Sequence, residues 1–472
     1  MAATGSSTVT TSGGPVRGRR HDHGTVHFDV PYAKAPLGIR RFAPPDPHPG
    51  WSGVRDGTRP GPTAPQPARD SFGVLDMSPY FGPGWQRGDD YLTVNVWAPP
   101  ADGSPRPVLV FVHGGGFVAG SNRAPLYDGT AFARDGVVLV TVNYRLGIPG
   151  FLHLPDAPDN RGLLDVVAAL RWVRDNVASF GGDPGNVTLA GQSAGAIIVG
   201  GVLAEPAAAG LFHRAIVQSG SGTGAFAPEQ AAMVTERVGR HFGVEPSAAA
   251  LADVPEDRLV AVLADLAGLD LRTPTHHHPL GGITSFSLVS ERQPVEAAGG
   301  SAVDLLIGDN RDEGSLYLAP VGKLAGSTDL DVRETAALFH RDPDDAVRGY
   351  RNRYPRAGAA ELRTRVLSDG LFRTGTHALA TAHTAGPTYR YEFGWRSDAV
   401  DGQLGASHVM ELPFVFDTLT LPALRGPRKL LGTGEPPAAL AARTHRSWVA
   451  FAGSGDPGWA EYSPGGHVEE LV

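Results

Sequence analysis

The chain alternates short, almost wholly apolar runs with glycine-rich turns and segments of helical periodicity. The clearest runs are Val108–Val112, Val137–Val142, Val187–Ala190, Ala215–Gln218, Leu305–Ile307 and Tyr389–Phe393. Several are continuous rather than alternating, the pattern of strands covered on both faces. Leu163, Val166, Val167, Leu170, Val173 and Val177 recur at helical spacing and predict a helix over Asn160–Val177. Strand runs followed by helical segments predict an α/β fold on a largely parallel sheet. Residues 45–90 are rich in Pro and Gly, carry Trp51, Tyr80, Phe81 and Trp85, and read as long surface loops near an entrance. Residues 225–295 and 320–385 read as mostly helical lid or cap insertions. No stretch reads as a linker, so a single domain over 1–472 is expected.

Composition narrows the function classes. The 472 residues are 41% hydrophobic and 19% charged, a globular balance that supports a large core. A net charge of −8 argues against a broad nucleic-acid surface. The chain has no cysteine, which removes disulfides, thiolate metal sites and cysteine nucleophiles. Met1–Gly14 has neither the basic nor the apolar region of a signal peptide. The longest apolar stretches, such as Ala194–Ala204, are shorter than the ~20 residues that span a bilayer. A cytoplasmic protein with no membrane span is expected.

Two glycine motifs carry chemistry. Gly191-Gln-Ser-Ala-Gly195 matches G-x-S-x-G between a strand run and a small-residue helical run. A nucleophilic serine at the apex of a strained strand-to-helix turn needs glycine two residues to either side, where side chains would collide. Ser193 is therefore the candidate nucleophile. His113-Gly-Gly-Gly116-Phe117 directly follows the run ending at Val112. Glycines there let backbone amides approach a substrate carbonyl, and the amide after the nucleophile, that of Ala194, completes an oxyanion hole. A Walker-type phosphate loop would need a lysine that does not follow. The two motifs in this order, each after a strand, point to the α/β-hydrolase fold.

Longer matches extend this. Phe28-Asp-Val-Pro-Tyr-Ala33, Arg41-Phe-Ala-Pro-Pro45, Asp90-Tyr-Leu-Thr-Val-Asn-Val-Trp97, Val142-Asn-Tyr-Arg-Leu-Gly147, Phe180-Gly-Gly-Asp-Pro184 and Phe212-His-Arg-Ala-Ile-Val-Gln-Ser-Gly-Ser221 occur in order. With them, nearly the whole chain resembles a type-B carboxylesterase of the cholinesterase-like family. The resemblance implies a Ser–Glu–His triad. Its acid falls at Glu313 in Gly308-Asp-Asn-Arg-Asp-Glu-Gly-Ser315, and its histidine at His408 in Ser407-His-Val-Met-Glu-Leu-Pro-Phe-Val-Phe416. It also implies Gly115, Gly116 and Ala194 as oxyanion donors. Without it, Asp309 and Asp312 compete with Glu313, and 17 histidines compete for the base, although the order Ser, acid, His suits the fold.

The chain also departs from the family. Tyr91 stands where animal members often hold a cysteine. Gln192 replaces the acidic residue that precedes the nucleophile in cholinesterases, so choline esters are not implied. Phe286–Arg292 matches the segment before the acid poorly, and the region after Leu318 is shortened. These differences bear on the acyl pocket and lid.

The expected function is hydrolysis of a small carboxylic ester through an acyl-enzyme, with no metal, no organic cofactor and no nucleic-acid partner. An amidase or carbamate hydrolase on the same site, or a non-catalytic binding protein of the same fold, are the alternatives. His276-His-His278 reads as a solvent-exposed loop rather than a metal site. Glu411 reads as either structural or supporting the triad, Trp448 as core, and Arg145 and Asp183 as members of buried pairs.

Overall fold

The computed structural model describes residues 6–278 and 280–472. Fourteen strands are β1 Ser6–Thr11, β2 Gly14–His21, β3 Gly24–Pro31, β4 Arg55–Gly57, β5 Ser71–Phe72, β6 Leu75–Asp76, β7 Thr93–Ala98, β8 Arg106–Val112, β9 Val138–Val142, β10 Gly182–Gln192, β11 Arg214–Gln218, β12 Asp304–Asn310, β13 Thr388–Phe393 and β14 Glu469–Leu471. Twelve of them form one sheet in the order β1-β2-β3-β7-β9-β8-β10-β11-β12-β13-β14, with β4 on β2. Pairing is antiparallel from β1 to β9 and parallel from β9 to β14. The largely parallel sheet expected from the apolar runs is present, in the α/β-hydrolase fold to which the two glycine motifs pointed. Its antiparallel N-terminal edge carries no comparable run, because β1 and β2 are mostly polar.

The continuous apolar strands have the anticipated cause. Val108, Val110 and Val112 of β8 pack into one core with the helix Arg161–Asn176. Leu109 and Phe111 pack into the other with the helix Ala438–Ser454. Alternate side chains thus enter two cores, one on each face. Trp448, fully buried, belongs to the second core.

The helix expected over Asn160–Val177 runs from Arg161 to Asn176, and Asn160 caps it in a left-handed conformation. Its one buried carboxylate, Asp165, is the partner of Arg145. The guanidinium donates from Nε to Oδ2 at 2.8 Å and from Nη2 to Oδ1 at 2.7 Å. Nη1 also donates to the carbonyls of Arg41 and Ala43, at 3.0 and 2.6 Å. Asp183 does not behave as expected. It is only partly buried and accepts the Gly185 amide within the irregular start of β10.

Of the two later insertions, 225–295 is helical only in part, with no helix among the described residues between Leu266 and Pro294, whereas 320–385 is mostly helical. The longest helices are Pro228–Phe242 in the first, and Asp329–Ala336, Pro343–Arg353, Ala359–Ser368 and Thr374–Ala382 in the second. The 45–90 segment is less superficial than its composition suggests, since Tyr80 and Phe81 are buried. Among the described residues no helix is long and apolar enough to cross a membrane.

Candidate active site

Sheet order brings the motifs together. β8 lies beside β10, with Gly191 opposite Val112. The segment after Val112 therefore meets the turn after Gln192 at the carboxyl end of the sheet, where ligands bind in open α/β folds. β11 and β12 follow, with Gln192 level with Gln218 and Gln218 level with Gly308. The loop after β12 carries Glu313, and the loop after β13 carries His408.

Ser193 stands at φ 57° and ψ −124°, before the helix Ala194–Leu203. This strained conformation is held by the Ser193 amide donating to the Gln218 carbonyl at 2.9 Å. A Cβ on Gly191 would lie 2.5 Å from the Gly195 carbonyl group, and one on Gly195 would lie 2.1 Å from the Val112 carbonyl oxygen. Both glycines of the motif are therefore required sterically.

His408 Nε2 lies 2.8 Å from Ser193 Oγ, and His408 Nδ1 lies 2.6 Å from Glu313 Oε2. A carboxylate only accepts, so Nδ1 carries the proton and Nε2 accepts from the serine hydroxyl. Glu313 Oε1 accepts the Asn310 amide at 2.7 Å. Glu313 is fully buried, His408 is 2% exposed and Ser193 is 8% exposed. Water thus reaches this chain of groups at its serine end.

The glycine segment closes over the serine. A Cβ on Gly114 would lie 2.9 Å from Ser193 Cβ. Among the described residues the amides of Gly116 and Ala194 donate to no backbone acceptor, and the Gly115 amide faces the Tyr80 hydroxyl. His113 supports the segment from behind. It stacks on Tyr144 with centroids 4.6 Å apart and donates from Nδ1 to the Gly114 carbonyl at 2.8 Å. Burial lowers its pKa to about 4 and keeps the ring neutral.

A second carboxyl group lies behind Ser193, His408 and Glu313. Glu411 is fully buried. Its Oε2 accepts from Asn310 Nδ2 at 2.6 Å, and its Oε1 accepts from Gln218 Nε2 at 3.2 Å. Trp448 Nε1 donates to Gln218 Oε1 at 3.1 Å, which fixes that amide's orientation. Burial, and secondly the Glu313 charge, push the Glu411 pKa up to about 7. The Asn310 hydrogen bond opposes the shift and is outweighed.

The chain belongs to the carboxylesterase family. A family model described as "Carboxylesterase family" matches residues 5–465. The chain is 37% identical to phenmedipham hydrolase of Pseudarthrobacter oxydans over 456 residues, covering 95% of this chain and 90% of that one. It is 35% identical to para-nitrobenzyl esterase of Bacillus subtilis over 457 residues, with the same two coverages of 95% and 90%. A solved carboxylesterase of Geobacillus stearothermophilus superposes with a TM-score of 0.83 at 35% identity, over 98% of this chain and 96% of that one. This family membership makes the protein a carboxylic-ester hydrolase.

The contacts of several side chains around the esterase's serine had no signal in the sequence. Phe372 stacks face to face on His408, with centroids 4.3 Å apart and planes 5° from parallel. It belongs to a π-helical turn, Asp369–Arg373, inside the second helical insertion. Such turns often mark functional positions in longer helices. Tyr80 donates its hydroxyl proton to Gln192 Oε1 at 2.9 Å, and Gln192 Nε2 lies 3.4 Å from His408 Nε2. The 45–90 insertion is thereby tied to the residue before the nucleophile.

The histidine cluster differs from its sequence reading in one member. His276 is exposed and paired with Glu229 at 2.5 Å. His278 is buried, packs edge-on against Phe226 and accepts the Gly282 amide at 3.1 Å. Its apolar neighbour comes from a distant part of the chain, so local composition did not reveal it. Among the described residues no three His, Asp or Glu side chains are grouped to hold a metal ion.

Proposed function

We propose that this carboxylesterase cleaves small carboxylic esters through an acyl-enzyme on Ser193. The observation that carries the reading is the hydrogen-bonded chain Ser193–His408–Glu313, at 2.8 and 2.6 Å, ending on a serine in a strained elbow. Ser193 Oγ attacks the ester carbonyl as His408 Nε2 takes its proton. Glu313 fixes the tautomer and stabilises the imidazolium. The amides of Gly115, Gly116 and Ala194 receive the oxyanion, as preformed donors suited to charge that develops only in the transition state. His408 then returns the proton to the leaving alcohol. Water, deprotonated by the same imidazole, releases the acid and restores the serine.

One sheet running from β1 to β14 supports treating residues 1–472 as a single domain that carries this site. The chemistry asks for no metal or organic cofactor. An amide or carbamate would use the same groups, and a non-catalytic member would keep the fold without turnover. A sulfonyl fluoride should therefore label one serine per chain, and Ser193→Ala should abolish labelling and lower kcat by up to about 10⁶. More than a tenth of parental activity left in that variant would refute the assignment. Parallel assays on matched ester and amide substrates separate esterase from amidase.

A further inference from the structure

Where this chain buries a guanidinium for structure, it surrounds it with acceptors. Arg145 has Asp165 and the carbonyls of Arg40, Arg41, Ala43 and Arg161. Arg161 donates to the carbonyls of Pro149, Pro158 and Leu152. Arg69 is treated differently. It is partly buried, and its guanidinium lies over the rings of Phe72 and Phe81, at 4.8 and 5.1 Å. The titratable groups that bear on it are the hydroxyls of Tyr317 and Tyr80 rather than any carboxylate. Among the described residues it has no ion-pair partner. Desolvation disfavours its charge, so a counter-ion would be bound with gain.

Its position gives this meaning. Arg69 Nη1 lies 3.8 Å from where a Cβ on Gly116 would stand. Thr284, at the same distance from that point, donates to the Gly116 carbonyl at 2.7 Å. Arg69 and Thr284 line a cavity of about 450 Å³ whose other walls include Val118, Leu263, Leu266 and Phe286. An unpaired cation thus stands in the wall of a mostly apolar cavity, with the hydroxyls of Thr284 and Ser285 as its other polar side chains, beside a peptide unit assigned to the oxyanion hole. A purely structural role, clamping the 45–90 loop through the two rings, would leave turnover indifferent to substrate charge. The net charge of −8 would by itself disfavour acidic substrates, so any preference for them must be local.

We propose that Arg69 is the counter-ion for an acidic substrate: the cavity beside Gly116 takes the carboxylate-bearing half of a carboxylic ester, gripped by the guanidinium fork. Two parallel N–H···O bonds suit this pairing, and a lysine would supply only a point charge. The proposal rests on the reading of Ser193 and Gly116 given above.

The test compares two ester pairs, each anionic against neutral: ethyl hydrogen glutarate with diethyl glutarate, and 4-acetoxybenzoate with methyl 4-acetoxybenzoate. The first pair carries the charge on the acyl side and the second on the alcohol side. In at least one pair the anionic-to-neutral ratio of kcat/KM should fall by roughly 10- to 100-fold in Arg69→Met, as for loss of a charged hydrogen bond. Arg69→Lys should keep part of the ratio. Ratios unchanged within threefold in both pairs would overturn the proposal. Should Arg69→Met fail to fold, inhibition of the parent enzyme decides. Glutarate should compete at least tenfold more tightly than glutaramide, and equal or absent inhibition would overturn the proposal. A parent enzyme that hydrolyses none of the four esters overturns the Ser193 reading and this one with it. Turnover of neutral esters without charge selectivity overturns this one alone.

Discussion

The three glycines of the oxyanion segment look equivalent in sequence, but each is needed for a different reason, and alanine at each position should fail differently. Gly116 has φ 64°, and a Cβ there meets nothing closer than 3.8 Å. Its alanine variant bears only the left-handed strain, roughly 1–2 kcal/mol, and keeps the amide in place. Gly115 has φ 118°, and a Cβ would lie 2.0 Å from the Ala119 carbonyl oxygen. Contacts under 3.0 Å are essentially never made by real Cβ atoms, so the backbone must move by about 1 Å, on the scale that costs on the order of 10²-fold in rate. A lost oxyanion donor adds about 10²–10³ in kcat, and strain with overpacking costs roughly 2–5 kcal/mol of stability. Gly114 has no left-handed requirement, but its Cβ would lie 2.2 Å from the Tyr80 hydroxyl oxygen, 2.8 Å from the Gln192 carbonyl oxygen and 2.9 Å from Ser193 Cβ. Alanine there pushes on the buried Tyr80 as well as on Ser193, so kcat should suffer together with stability. Urea unfolding and kcat/KM on p-nitrophenyl acetate for the three variants give the ranking. The reasoning is refuted if Gly115→Ala stays within tenfold of the parent, or if Gly116→Ala is as damaged as Gly115→Ala.

Three further substitutions test the groups behind the serine. In Glu313→Gln the side-chain oxygen is held by the Asn310 amide, so the NH2 group faces His408 Nδ1 and imposes the wrong tautomer. A kcat loss of about 10⁴ is expected, and a loss under tenfold would contradict the role given to Glu313. Glu411→Gln tests the buried acid. Its folded pKa of about 7 exceeds the ordinary 4.5, so its contribution to stability is full below pH 4.5 and is lost as pH rises through 7. The glutamine variant has no such slope. It should gain on the order of 3 kcal/mol relative to the parent between pH 4.5 and 8, and a pH-independent gap in urea unfolding would refute this. Asp165→Asn leaves the Arg145 charge buried and half-paired, so chemical denaturation should show a loss of about 3–5 kcal/mol. A loss below 1 kcal/mol would show that the carbonyls alone satisfy that guanidinium.

The elbow was legible because its logic is local. Strand, glycine, serine, glycine and helix lie within one short stretch, and collisions between near neighbours force the spacing. The proposed acid and base were not legible in that way. His408 meets a serine 215 residues away and an acid 95 residues away, and only the family resemblance singled out Glu313 from Asp309 and Asp312. The structure gives the physical reason those two differ. Asp309 is paired with Arg373 at 2.9 Å and Asp312 with Arg396 at 2.6 Å. Both arginines come from beyond residue 370, and no spacing rule announces them. The N-terminal strands were unread for another reason. In β2 only Val16 and Gly18 are buried, so the strand lacks the apolar run that marks the central ones.

The residues whose contacts at the site were not legible in the sequence all come from insertions. Phe372 comes from the second helical insertion, and Arg69, Tyr80 and Phe81 come from the 45–90 insertion. Glycine and serine at a strand end are dictated by backbone geometry, so any chain using this elbow must repeat them and a motif survives. A side chain that reaches the site from an insertion is dictated only by the shape and charge of what must be bound, so no motif forms around it. The rigid sheet fixes where bonds are made and broken, and the loops laid over it decide which molecule arrives there. An unpaired arginine in such a loop is informative for that reason. Backbone geometry does not require a cation beside Gly116, so its presence bears on the substrate and not on the fold.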